Sequence, residues 1–127
     1  MKRTPAVSKF IFSVLLLVSM GFFLYPQISY ANAPQDVKTE YNSKTQTLTV
    51  TITHKSAFPG LHHIKNVEIK KNSATISSNK YDTQSQEVPF TYTYKVDAAQ
   101  GDKLEVTATC NLSGSKTATI TVAPATK

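Results

Sequence analysis

Three side chains able to ligate a metal stand at the edges of otherwise regular apolar patterns: His54, His62 and Cys110. Residues 47–54 alternate Leu48, Val50, Ile52 and His54 on one face, and residues 103–110 alternate Leu104, Val106, Ala108 and Cys110 in the same way. A period of two marks a strand with one buried face, so each run ends with a potential ligand where an aliphatic side chain would continue the pattern. Two imidazoles and a thiolate suit a soft or borderline metal such as iron, copper or zinc. The chain has a single cysteine, which cannot form an internal disulfide and leaves a metal ligand, a reactive thiol, an intermolecular bridge or a buried small apolar group as its roles. His62 and His63 are adjacent, so a regular strand turns one of them toward the site. His62 shares the phase of Ile64, and His63 is expected on the surface.

The elements that must position these residues follow from the same patterning. Lys2, Arg3 and Lys9 precede an apolar run over residues 10–25, and Ala31-Asn32-Ala33 has the small-x-small form of a cleavage site. These features predict a signal peptide over residues 1–33, cut after Ala33, and a domain over residues 34–127. The protein is then exported to a periplasmic or extracellular location and has no membrane contact after cleavage; a retained membrane anchor is the alternative. Losing Lys2, Arg3 and Lys9 lowers the formal net charge from +6 to +3 and removes the chain's sole arginine. Nucleic-acid partners are excluded on that ground, because no guanidinium is left to read bases or fork phosphates. Both methionines, Met1 and Met20, belong to the leader, which excludes a blue-copper site with an axial methionine in the domain.

The domain reads as an all-β, immunoglobulin-like seven-stranded β-sandwich. Strands are expected over residues 37–41, 47–54, 62–70, 74–77, 90–96, 103–110 and 118–122, with residues 78–86 as a polar loop. In the third, the apolar positions Ile64, Val67 and Ile69 include a three-residue step that needs a bulge. Where successive strands run up and down, the end of the second, the start of the third and the end of the sixth meet at one pole. His54, His62 and Cys110 occupy those positions.

The residues around them resemble a known family. His62-His63-Ile64-Lys65-Asn66-Val67-Glu68-Ile69 is similar to the His-Tyr-Ile-x-x-Ile-Glu-Leu strand of superoxide reductases, the iron domain of desulfoferrodoxin and neelaredoxin. Cys110-Asn111-Leu112-Ser113-Gly114 resembles that family's Cys-Asn-x-His-Gly turn, and the resemblance extends over residues 36–122. It implies a mononuclear non-haem iron with four equatorial histidines and an axial cysteine thiolate, reducing superoxide to peroxide at an open position. His62 matches the histidine that opens the third strand and Cys110 the axial thiolate. His54 matches the histidine of a His-Pro-Met segment more loosely, because Lys55-Ser56 replaces Pro-Met and the loop to His62 is longer. Ser113 stands where the family has its last histidine, and no histidine precedes His54. With three histidines in the chain, one subunit cannot supply the family's full ligand set. The family's glutamate-lysine pair is not recognisable; Glu40, Lys44 and Lys55 are candidates by proximity alone.

With the expected leader, the resemblance thus implies an exported protein that binds iron through His54, His62 and Cys110, completed by water, Ser113 or a second subunit. It would be a superoxide-reductase-like oxidoreductase if that iron site is competent. The partners implied are a small electron-donor protein and a second copy of the chain in a homo-oligomer. The alternative is a metal-free sandwich that binds a partner or carries sulfur, since the His-x-Ile strand and the Gly101-Asp102 turn also resemble the smaller subunit of the Sox sulfur-carrier complex. No separate catalytic or organic-cofactor residue is assigned, because the chain has no nucleophile elbow and no glycine-rich phosphate loop.

Overall fold

The structure is a computed structural model that describes Ile11 and residues 32–124. The expected signal peptide over residues 1–33 lies almost wholly outside the described residues. Seven strands follow in order: β1 (Asp36–Asn42), β2 (Thr47–Thr53), β3 (Ile64–Lys71), β4 (Ala74–Lys80), β5 (Phe90–Lys95), β6 (Lys103–Cys110) and β7 (Ser115–Thr121). They form a three-stranded sheet, β1-β2-β5, and a four-stranded sheet, β4-β3-β6-β7. Every pairing is antiparallel, and β1 lies against β7 where the sheets meet. The all-β, seven-stranded immunoglobulin-like architecture is as the alternation predicts.

Alternation also decides the core. Leu48, Val50 and Ile52 of β2 face Ile64, Val67 and Ile69 of β3 and Leu104, Val106 and Ala108 of β6, and all nine are fully buried. The bulge expected in β3 lies between Ile64 and Asn66, where the register with β6 slips from Cys110 to Thr109. Lys65 is the extra residue, and its insertion turns both Ile64 and Val67 inward despite their odd spacing. Between β3 and β4, Asn72 and Ser73 have φ of 50° and 72°, the left-handed pair that a two-residue hairpin of matching twist requires.

Several strands are longer than expected: β1 gains a residue at each end, β7 begins at Ser115 rather than at Ala118, and β4 is extended most tellingly. β4 runs to Lys80 rather than ending at Ser77, with Ser78, Asn79 and Lys80 paired to Glu68, Val67 and Asn66. It is an edge strand, so polar residues can occupy it without a burial cost, and its composition conceals the pairing. The pole at which β2 and β6 end and β3 begins is also where β1 begins, since Asp36 pairs with Thr53. Residues 32–35 therefore arrive at the same pole as His54, His62 and Cys110.

Candidate metal centre

His54 follows β2 directly and keeps the inward phase of Ile52, leaving it 2% exposed. Cys110 closes β6 opposite Ile64 and is 1% exposed. His62 is carried by the 55–61 loop, whose last turn is tightened by Leu61 N and His62 N both donating to the Phe58 carbonyl, at 2.9 and 2.8 Å. The side-chain oxygen of Asn111 accepts from His63 N at 2.9 Å, and its amide nitrogen donates to the Leu61 carbonyl at 2.9 Å. His62 is thus bracketed on both sides by the residue that follows Cys110.

The outcome is convergence. One donor atom from each of His54, His62 and Cys110 lies within 4.8 Å of the others, and the two imidazoles meet edge to face with ring centroids 4.6 Å apart. The 111–114 turn wraps the sulfur: Cys110 N donates to the Gly114 carbonyl at 2.9 Å, and Leu112 N–H points at Cys110 Sγ, 3.4 Å away.

Gln84 sets the state of His54. It is 7% exposed; its Oε1 accepts from Ile64 N at 3.0 Å and its Nε2 donates to the His54 carbonyl at 2.7 Å. Those two backbone partners fix which end of the amide is oxygen. His54 Nδ1, 2.7 Å from that oxygen, must then carry a proton, which in the neutral ring leaves the Nε2 lone pair free. Metal-bound histidines are held in this way, with the second ring nitrogen donating to a carbonyl or carboxylate. His54 Nε2 faces the Asn32 carbonyl oxygen at 3.1 Å.

His62 Nε2 is enclosed and has no hydrogen-bond partner among the described residues. Burial, then the His54 and His63 rings, push the His62 pKa down, and the Asn32 carbonyl opposes them. A neutral imidazole with an unpartnered buried nitrogen is a ligand waiting for a proton or a metal. The donors present fit an ion bound by two nitrogens and one sulfur. They do not fit a four-histidine centre, because His63 is not part of the cluster.

His63 corrects one expectation, since it is not a surface residue. It is 8% exposed, and its enclosed Nδ1 has no partner among the described residues. It lines a groove of about 520 Å³ with Lys65, Lys80, Tyr81 and Asp82. The bulge at Lys65 breaks simple alternation, and Ser78 and Lys80 from the unanticipated end of β4 line the same groove. Glu40 and Lys44 also fall away from the site, lining a cleft of about 580 Å³ near the β1–β2 turn at the opposite pole. Ser113 is exposed, and its hydroxyl accepts from Asn32 Nδ2 at 3.2 Å. The residues that sequence reasoning missed are Gln84, in a stretch read as polar loop, and Asn32, assigned to the leader. No motif marks either one.

No family model and no curated protein sequence matches the chain. Among solved structures, the superoxide reductase (1Fe-SOR) from Giardia intestinalis aligns with a TM-score of 0.50 and 10% identity, covering 72% of this chain and 97% of that one. The superoxide reductase (neelaredoxin) from Ignicoccus hospitalis aligns with a TM-score of 0.48 and 18% identity, over 71% of this chain and 80% of that one. Such identities speak to architecture rather than activity. The chain therefore has a divergent superoxide-reductase-like fold, with two histidines and a cysteine gathered at one pole of the sandwich.

Proposed function

We propose that the chain is an exported iron protein that reduces superoxide at a mononuclear non-haem site held by His54, His62 and Cys110. The observation that carries this reading is the meeting of those donor atoms within 4.8 Å from three chain segments far apart in sequence. Ligands sit about 2.0–2.3 Å from a metal, so neighbouring donors on a tetrahedral ion are roughly 3.3–3.7 Å apart. The widest gap must close by about 1 Å on binding. His62, whose Nε2 no hydrogen bond restrains, is the side chain able to make that movement.

Iron held there would supply the single electron that, with two protons from solvent, converts superoxide to hydrogen peroxide, and a small electron-donor protein would replace that electron. The chain's own residues do the rest. Cys110 brings a soft anionic donor whose charge the Leu112 N–H moderates. Gln84 holds His54 in the ligating tautomer, and partly exposed His62 leaves a side from which a small anion can approach. Phe58, Leu61 and Leu112 are exposed on the loop and turn that frame the site, an apolar rim suited to brief docking of the electron donor.

A sulfur carrier needs a thiol that can reach its partner enzymes. Cys110 at 1% exposure, inside the 111–114 turn, favours a ligand over a carrier. The test is anaerobic purification with ferrous iron, followed by metal analysis, spectroscopy and superoxide consumption. Stoichiometric iron, a thiolate-to-iron charge-transfer band lost in Cys110→Ser, and superoxide removal without oxygen release are expected. A metal-free, colourless protein after such loading overturns the proposal. Export is tested separately, by whether the protein recovered outside the cytoplasm begins at Pro34.

A further inference from the structure

The Asn32 carbonyl oxygen lies 3.1 Å from His54 Nε2. Gln84 Oε1 accepts from Nδ1, so in the neutral, ligating ring Nε2 presents a lone pair to an oxygen that presents one as well, whereas the charged ring would donate an N–H to it. Two acceptors at this separation repel each other unless a cation lies between them. Two donors bound to one ion at about 2.1 Å lie roughly 3.0 Å apart at a right angle and roughly 3.4 Å apart at the tetrahedral angle. The observed spacing falls inside that interval, and the enclosed, unpartnered His62 Nε2 lies in the same cluster.

The peptide that carries this oxygen is held by contacts that owe nothing to the rings. Asn32 Nδ2 donates to Ser113 Oγ at 3.2 Å, so the serine that stands where the resembled family has a histidine is used to hold Asn32. Ala33 packs on Gly114 so closely that a Cβ at that glycine would meet the Ala33 Cβ at 2.7 Å. Behind them, Gln35 N donates to the Thr53 carbonyl at 2.8 Å, and Lys116 Nζ donates to the Gln35 carbonyl at 2.6 Å. The carbonyl is therefore aimed at the cluster from both sides of its peptide.

We propose that the Asn32 backbone carbonyl is the fourth donor of the metal site, and that cutting the chain after Ala33 removes it and opens a coordination position. This rests on the metal-binding reading above and adds its control: the chain that keeps its leader holds a closed site of two nitrogens, one sulfur and one oxygen. The processed chain holds an ion that a small anion or water can reach.

Cobalt(II) titration tests this in three proteins: the full chain, the chain beginning at Pro34, and the full chain carrying Ala33→Leu. The leucine cannot sit on Gly114, so it lifts the 32–33 peptide without altering any donor. The full chain is expected to give the intense visible bands of four-coordinate cobalt together with a sulfur-to-cobalt band. The other two keep the sulfur band, lose visible intensity and bind about tenfold more weakly or worse. Should the shortened chain fail to melt cooperatively, Ala33→Leu decides. Equal spectra and affinities in all three overturn this inference while leaving the metal site standing. No cobalt uptake by any of them overturns the metal site and this inference together.

Discussion

Asn111 and His63 exchange two backbone-directed hydrogen bonds: His63 N donates to Asn111 Oδ1 at 2.9 Å, and Asn111 N donates to the His63 carbonyl at 2.9 Å. With the Asn111 amide also donating to the Leu61 carbonyl, one residue ties the start of β3 to the end of β6. His62 and Cys110 are kept together by that tie rather than by contact between their own side chains.

Removing the tie should separate ligand placement from ligand chemistry. Asn111→Ala leaves the Leu61 carbonyl and the His63 N–H without their partners, at a cost of about 1–3 kcal/mol. It should weaken metal binding about tenfold or more although every ligand remains. Asn111→Asp keeps the acceptor for His63 and loses the donor to Leu61, so it should fall between the two. Thermal melts and metal titration of both variants check the order; an Asn111→Ala protein with unchanged affinity would refute the positioning role.

Gln84 provides the second such test. It serves Ile64 N, the His54 carbonyl and His54 Nδ1 at once, so Gln84→Leu strands three buried groups where a surface glutamine would strand none. A stability loss of about 1–3 kcal/mol or more is expected, along with a 10–100-fold drop in metal affinity as His54 loses its preferred tautomer. Imidazole nitrogen shifts measured by NMR on the metal-free protein should move from the Nδ1–H form toward a mixture. A retained Nδ1–H signature in Gln84→Leu would remove Gln84 from the account.

The sandwich and two of the three ligand positions were legible because strands with one dry face advertise themselves: His54 and Cys110 sit in phase with Ile52 and Ala108. The β3 bulge was legible for the same reason, as a three-residue step between Ile64 and Val67. What remained hidden depended on covering rather than on period. His63 is buried beside an edge strand whose polar composition gives no sign of pairing, and Gln84 is one amide in a polar stretch, distinguishable from its neighbours only when the backbone groups it serves are in view. Asn32 acts through its backbone carbonyl, which no side-chain pattern can reveal.

A pH dependence follows from His62. Burial, and then the His54 and His63 rings, hold its folded pKa below the ordinary value of about 6.5. As pH falls, the unfolded chain takes up this proton first, so stability is full above about pH 6.5 and is lost as pH drops through the depressed folded value. Asp102, held low by the Ala99 N–H and Asn72, and Glu105, held low by Lys103, act only in the more acidic carboxylate range. The thermal midpoint of the metal-free protein should therefore decline first between neutral pH and about pH 5, and His62→Gln should flatten that part of the curve. A wild-type profile level down to pH 5 would contradict the placement of His62.

Metal itself should act as a clasp between the two sheets. His54 extends β2 of the three-stranded sheet, whereas His62 leads into β3 and Cys110 ends β6 of the other, so an ion bound by all three adds a link between layers otherwise joined by apolar packing and a few hydrogen bonds such as those of Gln84. Binding to the folded state alone adds about 2.7 kcal/mol when free metal is 100 times its dissociation constant. A chain of this size should respond with a rise of several degrees in melting temperature. The increment should vanish with a chelator, in Cys110→Ser and in His54→Gln alike, since each cuts the same bridge, whereas His63→Gln should keep it because that ring faces the groove beside β4. Scanning calorimetry with and without added metal makes the comparison. If His54→Gln retained the full increment, the ion would be held by one sheet only and the link between the layers would be wrong.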